Sequence, residues 1–278
     1  MITPWLPPGH THCLVGRGEV FYRHHRHADA SAPTVLLLHG WTASADLQFF
    51  SAYEALAEHY SFIAIDHRGH GRGMRTGDKF DIADAAEDAA LLVQHLAVGP
   101  VITVGYSMGG PISMLLARSH PELVRGLVVQ ATALEWKSAW FERARWKTVH
   151  LLGPYLRSHV YPRSMRWGIK RLLGHNHPTA QYIPWLASEL RRNDSFNMVQ
   201  AGQSLSHYDA REWAASLGKP AASVVMTRDR LVRPRKQRAL ADALNAFVIE
   251  LPDDHLAAWT SPDAFAKAAV ESVRSVTS

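Results

Sequence analysis

A chain of 278 residues that is 47% hydrophobic and 20% charged has enough apolar material for one large core, and its composition excludes disordered and fibrous classes. Its single cysteine, Cys13, excludes an internal disulfide framework and fits a reducing compartment. A formal charge of +5 with 17 histidines comes without any nucleic-acid-binding motif, so neither DNA nor RNA is expected as a partner.

Residues 1–8 carry three prolines and lack the basic-then-apolar pattern of a secretory signal, and the apolar runs are too short to span a bilayer. A cytoplasmic protein is expected. From residue 18 onward short β-rich runs alternate with helical stretches. Residues 18–22 read as an edge strand, and 34–38, 62–65, 101–104, 126–129, 223–226 and 247–251 read as buried parallel strands. Between two of them, Ile82, Ala85, Ala86, Ala89, Val93 and Leu96 recur at helical spacing, and Asp81 is placed to cap that helix. A last helix is expected over 262–273.

The alternation breaks over residues 133–217, which hold no convincing strand, and Pro154, Pro162, Pro178 and Pro184 divide this stretch into several short helices. The expected fold class is therefore α/β, a mostly parallel sheet with helices on both faces. Residues 1–132 and 218–278 form the core, and 133–217 form an inserted helical cap.

Chemistry enters at Gly105-Tyr106-Ser107-Met108-Gly109, after the run 101–104 and before a helical stretch, 111–119. A serine on a sharp strand-to-helix turn is held in a strained conformation that only small neighbours at 105 and 109 permit. The helix beginning there turns its N–H groups and positive dipole end toward charge developing beside Ser107.

Together with His39-Gly40-Trp41 and Asp66-His67-Arg68-Gly69-His70-Gly71, taken in that order, this segment resembles the landmark motifs of the α/β-hydrolase superfamily. The resemblance implies that superfamily's fold and a nucleophile, acid, base order along the chain. Asp229, after the strand 223–226, stands where the family carries its acid, although Met226 replaces a common glycine and Arg233 a common proline. Glu135 is the runner-up acid. His255, on the loop after the last strand, stands where the fold carries its general base. Of the other histidines, His39, His67 and His70 lie in upstream motifs, while His159, His175, His177 and His207 fall in or beside the cap. Asp253 and Asp254 read as loop residues, because adjacent side chains rarely reach the ring edge. The backbone N–H groups of Trp41 and Met108 resemble the family's two oxyanion donors.

The segment from Asp66 to Gly73 offers an aspartate, two histidines and three glycines, but no phosphate-binding lysine follows and no second ligand cluster appears. The resemblance assigns it to a packed loop behind the site, and no metal or cofactor is expected. Trp136, Trp140, Phe141, Trp146, Tyr155, Tyr161, Trp167, Tyr182 and Trp185 make the cap aromatic, for packing or for lining an acyl pocket. Lys137, Arg143, Arg145, Lys147, Arg157, Arg163, Arg166, Lys170 and Arg171 make it basic; a solvated helix face explains them, and transient contact with lipid headgroups is the other reading.

The expected activity is hydrolysis of a carboxylic ester with an apolar acyl group through a Ser107, His255, Asp229 triad. Acyl transfer, carbon–carbon bond hydrolysis and cofactor-free peroxidation use the same triad, and a non-catalytic ligand-binding protein is the reading from another class. Dehalogenation and epoxide hydrolysis are disfavoured, since the relatives that perform them carry an aspartate where Ser107 stands. The expected partner is a small-molecule ester.

Overall fold

The computed structural model describes residues 1–149, 160–174 and 176–277, with the side chains of residues 160–162 and 165 outside the description. The expectations from sequence at Pro154, Tyr155, Arg157, His159 and His175, and those on the Tyr161 and Pro162 side chains, lie outside it. The described strands are β1 (Gly9–Leu14), β2 (Gly18–His25), β3 (Thr34–Leu38), β4 (Ser61–Ile65), β5 (Val101–Tyr106), β6 (Val124–Gln130), β7 (Ala221–Met226) and β8 (Phe247–Leu251). They form one sheet in the order β1-β2-β4-β3-β5-β6-β7-β8. The two pairings that involve β2 are antiparallel, and every other neighbouring pair is parallel.

The helices are α1 (Ala45–Phe49), α2 (Tyr53–Ala57), α3 (Ile82–Leu96), α4 (Gly109–Ser119), α5 (Trp140–Lys147), α6 (Val160–Leu173), α7 (Ile183–Leu190), α8 (Ser195–His207), α9 (Pro234–Ala243), α10 (Ala257–Thr260) and α11 (Pro262–Ser275). Successive strand side chains point to opposite faces, so the sheet divides its own apolar residues between two cores. Leu36 and Leu38 of β3 pack with α3, α4 and α9 on one face. Val35 and Leu37 pack with α1, α2 and α11 on the other. Apolar surface on both sides is what a central parallel strand needs, and β5 is buried at every residue.

Helix α3 buries Ile82, Ala85, Ala86, Ala89, Leu92 and Val93, and the Asp81 carboxylate accepts the Ala83 N–H at 2.9 Å to cap it. Asp88 is buried on the same helix, where Arg68 donates to both of its oxygens at 2.8 Å.

Two strand expectations need correcting. Residues 18–22 are not the edge, because β1 pairs outside β2, with Leu14 facing Gly18. The run His10, Thr11, His12 and Cys13 has no apolar alternation, and β1 is mostly exposed, with only Leu14 buried, so its pairing leaves no hydrophobic signature. Cys13 is an exposed free thiol on this strand. At the other end β8 is not a buried strand: it closes the sheet with Phe247 and Val248 exposed at 53% and 41%. An apolar run does not reveal whether a neighbour follows on its open side.

Helices α5 to α8 and two short 3-10 turns occupy the chain between β6 and β7, with an isolated bridge between Glu135 and Asp209. Pro178 opens a 3-10 turn and Pro184 lies in the first turn of α7, where a missing N–H costs no helical bond. Among the described residues no helix is long and apolar enough to cross a membrane.

Candidate active site

Strand β5 ends in a turn that Ser107 makes with a left-handed backbone, φ 51°. For a non-glycine residue this conformation costs about 1–3 kcal/mol and persists only where surroundings enforce it. Here the Ser107 N–H donates to Gln130 O at 2.9 Å, and Ser107 O accepts from Gly110 N at 3.0 Å, so neighbouring β6 and the start of α4 hold both sides of the peptide. A side chain at Gly105 would strike Gly109 O, and one at Gly109 would strike Leu38 O. The turn is that tight because α4 begins at once and packs back over the sheet.

Ser107 Oγ lies 3.1 Å from His255 Nε2, and His255 Nδ1 lies 2.7 Å from Asp229 Oδ2. The carboxylate can only accept, so Nδ1 carries the proton and Nε2 is left to accept from the serine hydroxyl. Asp229 is 3% exposed, and its charge is compensated from several sides. Its Oδ1 accepts the N–H groups of Leu231 at 2.7 Å and Val232 at 2.9 Å, and Gln237 Nε2 donates to Oδ2 at 3.1 Å. Gln237 is itself locked: its Oε1 accepts Met226 N–H at 2.9 Å, and Nε2 donates to Val232 O at 2.7 Å. The histidine loop is tied down by Tyr106, whose hydroxyl donates to His255 O at 3.0 Å and whose ring meets the imidazole edge-on at 5.5 Å.

The departures from the family pattern have their own partners. Met226 is fully buried in the core, and Pro234 occupies the first position of α9. The Arg233 guanidinium sits 4.3 Å over the Phe141 ring.

The structure does not bring the runner-up acid to the imidazole. Glu135 takes Lys236 Nζ at 2.8 Å and accepts the N–H groups of Lys137 and Ser138 at 2.8 and 2.7 Å. Burial opposes ionisation of Glu135, but Lys236 and these donors outweigh it and hold the carboxyl below its ordinary value. Asp253 accepts from Thr260 Oγ1 at 3.0 Å and from Asp254 N at 2.7 Å, while Asp254 accepts from Leu256 N at 2.7 Å, so both shape their own loop.

The backbone at residues 40–41 runs alongside the serine, since a side chain at Gly40 would lie 3.2 Å from Ser107 Cβ. Among the described residues no protein acceptor takes the N–H of Trp41 or of Met108. His39 stiffens this loop: its Nε2 accepts the His67 N–H at 3.0 Å, which leaves Nδ1 to donate to Gly40 O at 2.8 Å. Burial holds His67 down to about 3 and His70 to about 4, and burial with the neighbouring imidazoles lowers His39 well below its ordinary value, so all three are neutral at pH 7. Asp66 ties the two loops together by accepting Ala45 N at 2.7 Å and Arg72 N at 2.8 Å. Burial, reinforced by Asp46, pushes its carboxyl up to about 7. Among the described residues no group of three or more histidine, cysteine, aspartate or glutamate side chains is disposed to hold a metal ion.

Above Ser107 opens a cavity of about 500 Å³. Trp41, Trp136, Trp146, Val149, Leu190, Leu205, Val232 and Trp259 make most of its wall apolar, while Gln48, Arg145 and Thr148 add polar groups. Sequence reasoning gave Gln48 and Gln237 no role. Gln48 is 8% exposed, and its amide has no protein partner among the described residues, unlike that of Gln237. Nothing in a lone glutamine's sequence context separates these cases. Of the aromatic residues between β6 and β7, Trp136, Trp146 and Trp185 are buried, while Trp140 and Trp167 are 74% and 64% exposed.

A family model described as the alpha/beta hydrolase fold matches residues 33–262. The chain belongs to that family. Over 98 residues it is 36% identical to a 2-(acetamidomethylene)succinate hydrolase of Mesorhizobium japonicum, covering 35% of each chain. Over 92 residues it is 35% identical to a bifunctional esterase/perhydrolase of Acinetobacter calcoaceticus, covering 33% of each. The matched part thus spans about a third of the length of these curated relatives. The enol-lactonase from Burkholderia xenovorans LB400 superposes with a TM-score of 0.81 at 20% identity, covering 95% of this chain and 99% of that one, a likeness of fold.

Proposed function

We propose that this α/β-hydrolase cleaves a carboxylic ester by way of an acyl-enzyme. The observation that carries the reading is the unbroken chain from Ser107 through His255 to Asp229, at 3.1 and 2.7 Å, at the floor of an apolar cavity. A serine hydroxyl is a weak nucleophile. As Ser107 Oγ bonds to the ester carbonyl carbon, its proton passes to His255 Nε2, and the buried Asp229 carboxylate stabilises the imidazolium without taking the proton. The carbonyl oxygen, now an oxyanion, is received by the free N–H groups of Trp41 and Met108, and losing one such donor typically costs about 3 kcal/mol. Collapse breaks the bond to the alkoxy oxygen, which leaves with the proton from His255. Water then repeats the sequence on the acyl-enzyme, releasing the acid and restoring Ser107.

In this reading residues 133–217 form a cap that excludes water and bounds substrate size. The esterase/perhydrolase relative supports one variation, in which hydrogen peroxide replaces water at the acyl-enzyme and a peracid leaves instead of an acid.

Labelling with a fluorophosphonate probe and turnover of p-nitrophenyl esters of graded chain length test the proposal. The wild type should label and hydrolyse, with an optimum in chain length, and Ser107→Ala should do neither. A wild type that leaves both probe and esters untouched overturns the assignment. Peracid formation in added peroxide would establish the variation.

A further inference from the structure

Among the described residues that border the apolar cavity, Arg145 on α5 is the one lysine, arginine, aspartate or glutamate. Its guanidinium is held in place without being neutralised. It lies 5.6 Å from the Trp146 ring centroid, and its Nη1 donates to Leu231 O at 3.3 Å. Both anchors are firm. Trp146 is 7% exposed and donates its Nε1 to Trp136 O at 2.7 Å, while Leu231 N donates to Asp229 at 2.7 Å. The cation is therefore fastened to the same loop that carries the acid of the site.

What it lacks is a carboxylate. Two cations nearby have one, since Lys236 lies 2.8 Å from both Glu135 and Glu142 and Arg72 lies 2.9 Å from Glu189, whereas Arg233 rests on the Phe141 ring outside the cavity lining. No described acidic group comes within ion-pair distance of Arg145. A guanidinium carries five N–H donors in a rigid fork suited to bidentate carboxylate binding, and one carbonyl occupies a single donor. Arg145 is itself exposed, so its pair with a carboxylate is open to screening by salt, while the charge-assisted fork still exceeds a neutral hydrogen bond. A wholly apolar substrate would gain nothing from this group.

We infer that Arg145 selects esters that carry a free carboxylate at the end remote from the scissile bond, such as half-esters of dicarboxylic acids. The inference rests on the ester-hydrolase reading and narrows its substrate class.

Monoethyl and diethyl esters of succinic, adipic and sebacic acids form matched pairs that differ in one charge. For the pair of suitable length, the wild type should favour the half-ester by about tenfold in kcat/KM, chiefly through KM, as one charge-assisted contact provides. Arg145→Gln should erase that ratio, Arg145→Lys should retain part of it, and added salt should lower it in the wild type. A ratio near one for all three acids, or a preference that survives Arg145→Gln, overturns the inference. A second readout separates it from the parent reading. In Ser107→Ala, quenching of the tryptophans in the cavity wall reports binding without turnover, and the half-ester should bind about tenfold tighter than the diester, with the difference lost on Arg145→Gln. Selective binding of this kind in a protein whose wild type hydrolyses no ester would sink the hydrolase reading and uphold the role of Arg145; equal binding would sink the role of Arg145.

Discussion

The two walls over Ser107 are attached to different halves of the site. The wall built from α7, α8 and the turn between them is bolted to the loops after β3 and β4. Arg72 meets Glu189 at 2.9 Å, Asn193 accepts Gly71 N and donates to Thr42 O, both at 2.7 Å, and Asp194 N donates to Gly69 O at 2.8 Å. Trp41 Nε1 completes the set by donating to Met198 O at 2.7 Å. The second wall, α5, meets the first where the Trp146 ring lies 5.7 Å from that of Trp41, but it is held from the other side by Lys236 on Glu142 and by Arg145 on the Leu231 carbonyl, next to Asp229. In the proposed reaction a change in the first wall should reach the N–H groups beside Ser107 and so affect every substrate. A change in the second should act through Arg145 at the cavity lining and sort one substrate from another.

That contrast can be broken at several points. The largest effect belongs beneath both walls: Asp229→Asn should lower kcat about 10⁴-fold with the fold intact, because the imidazole loses the acceptor that fixes its tautomer. Ester turnover alongside circular dichroism checks this, and a loss below tenfold would show that Asp229 does not orient His255.

The next largest effect is on stability, through the buried groups behind the first wall. Unfolded histidines bind protons near pH 6.5, whereas folded His67 and His70 bind them only at about 3 and about 4, and His39 is lowered as well. Asp66 acts in the opposite sense. Raised from 3.8 to about 7, it gives up stability as pH rises through that window and regains it on acidification. Three histidines outweigh one carboxyl, so stability should fall by on the order of 3 kcal/mol between pH 6.5 and 4.5. Urea titrations across that range read it directly, and a midpoint that rises with acid would contradict the neutral burial of these rings.

Asn193→Ala sharpens the comparison. It strips two hydrogen bonds from the first wall and should cost about 2 kcal/mol of unfolding free energy. Because Thr42 adjoins Trp41, kcat should also drop for half-esters and diesters alike. Arg145→Gln, on the second wall, should change the unfolding free energy by less than about 0.5 kcal/mol, as befits an exposed side chain, while removing selectivity. Identical profiles from the two variants would mean that the walls are not functionally distinct.

How much of this was legible in the sequence differs by element. The inner strands β3 to β7 are legible because both faces must be apolar, and the turn at Ser107 because only small residues tolerate its crowding. β1 was missed, since an exposed edge held by backbone hydrogen bonds needs no hydrophobic pattern. The open side of β8 was missed because exposure depends on which neighbour is absent. Gln237 was invisible for a related reason: it reaches Asp229 only because α9 folds back against the end of β7.

By itself, the sequence determined the alternation of strands and helices and the strained turn at Ser107, local consequences of apolar periodicity and small residues at fixed spacing, while Asp229 and His255 were marked by the resemblance to the α/β-hydrolases. Only the tertiary structure decided which carboxylate faces the imidazole, which glutamine is satisfied and which arginine stands at the cavity without a counter-charge. Those outcomes depend on distances between residues far apart in the chain, and such distances follow from packing.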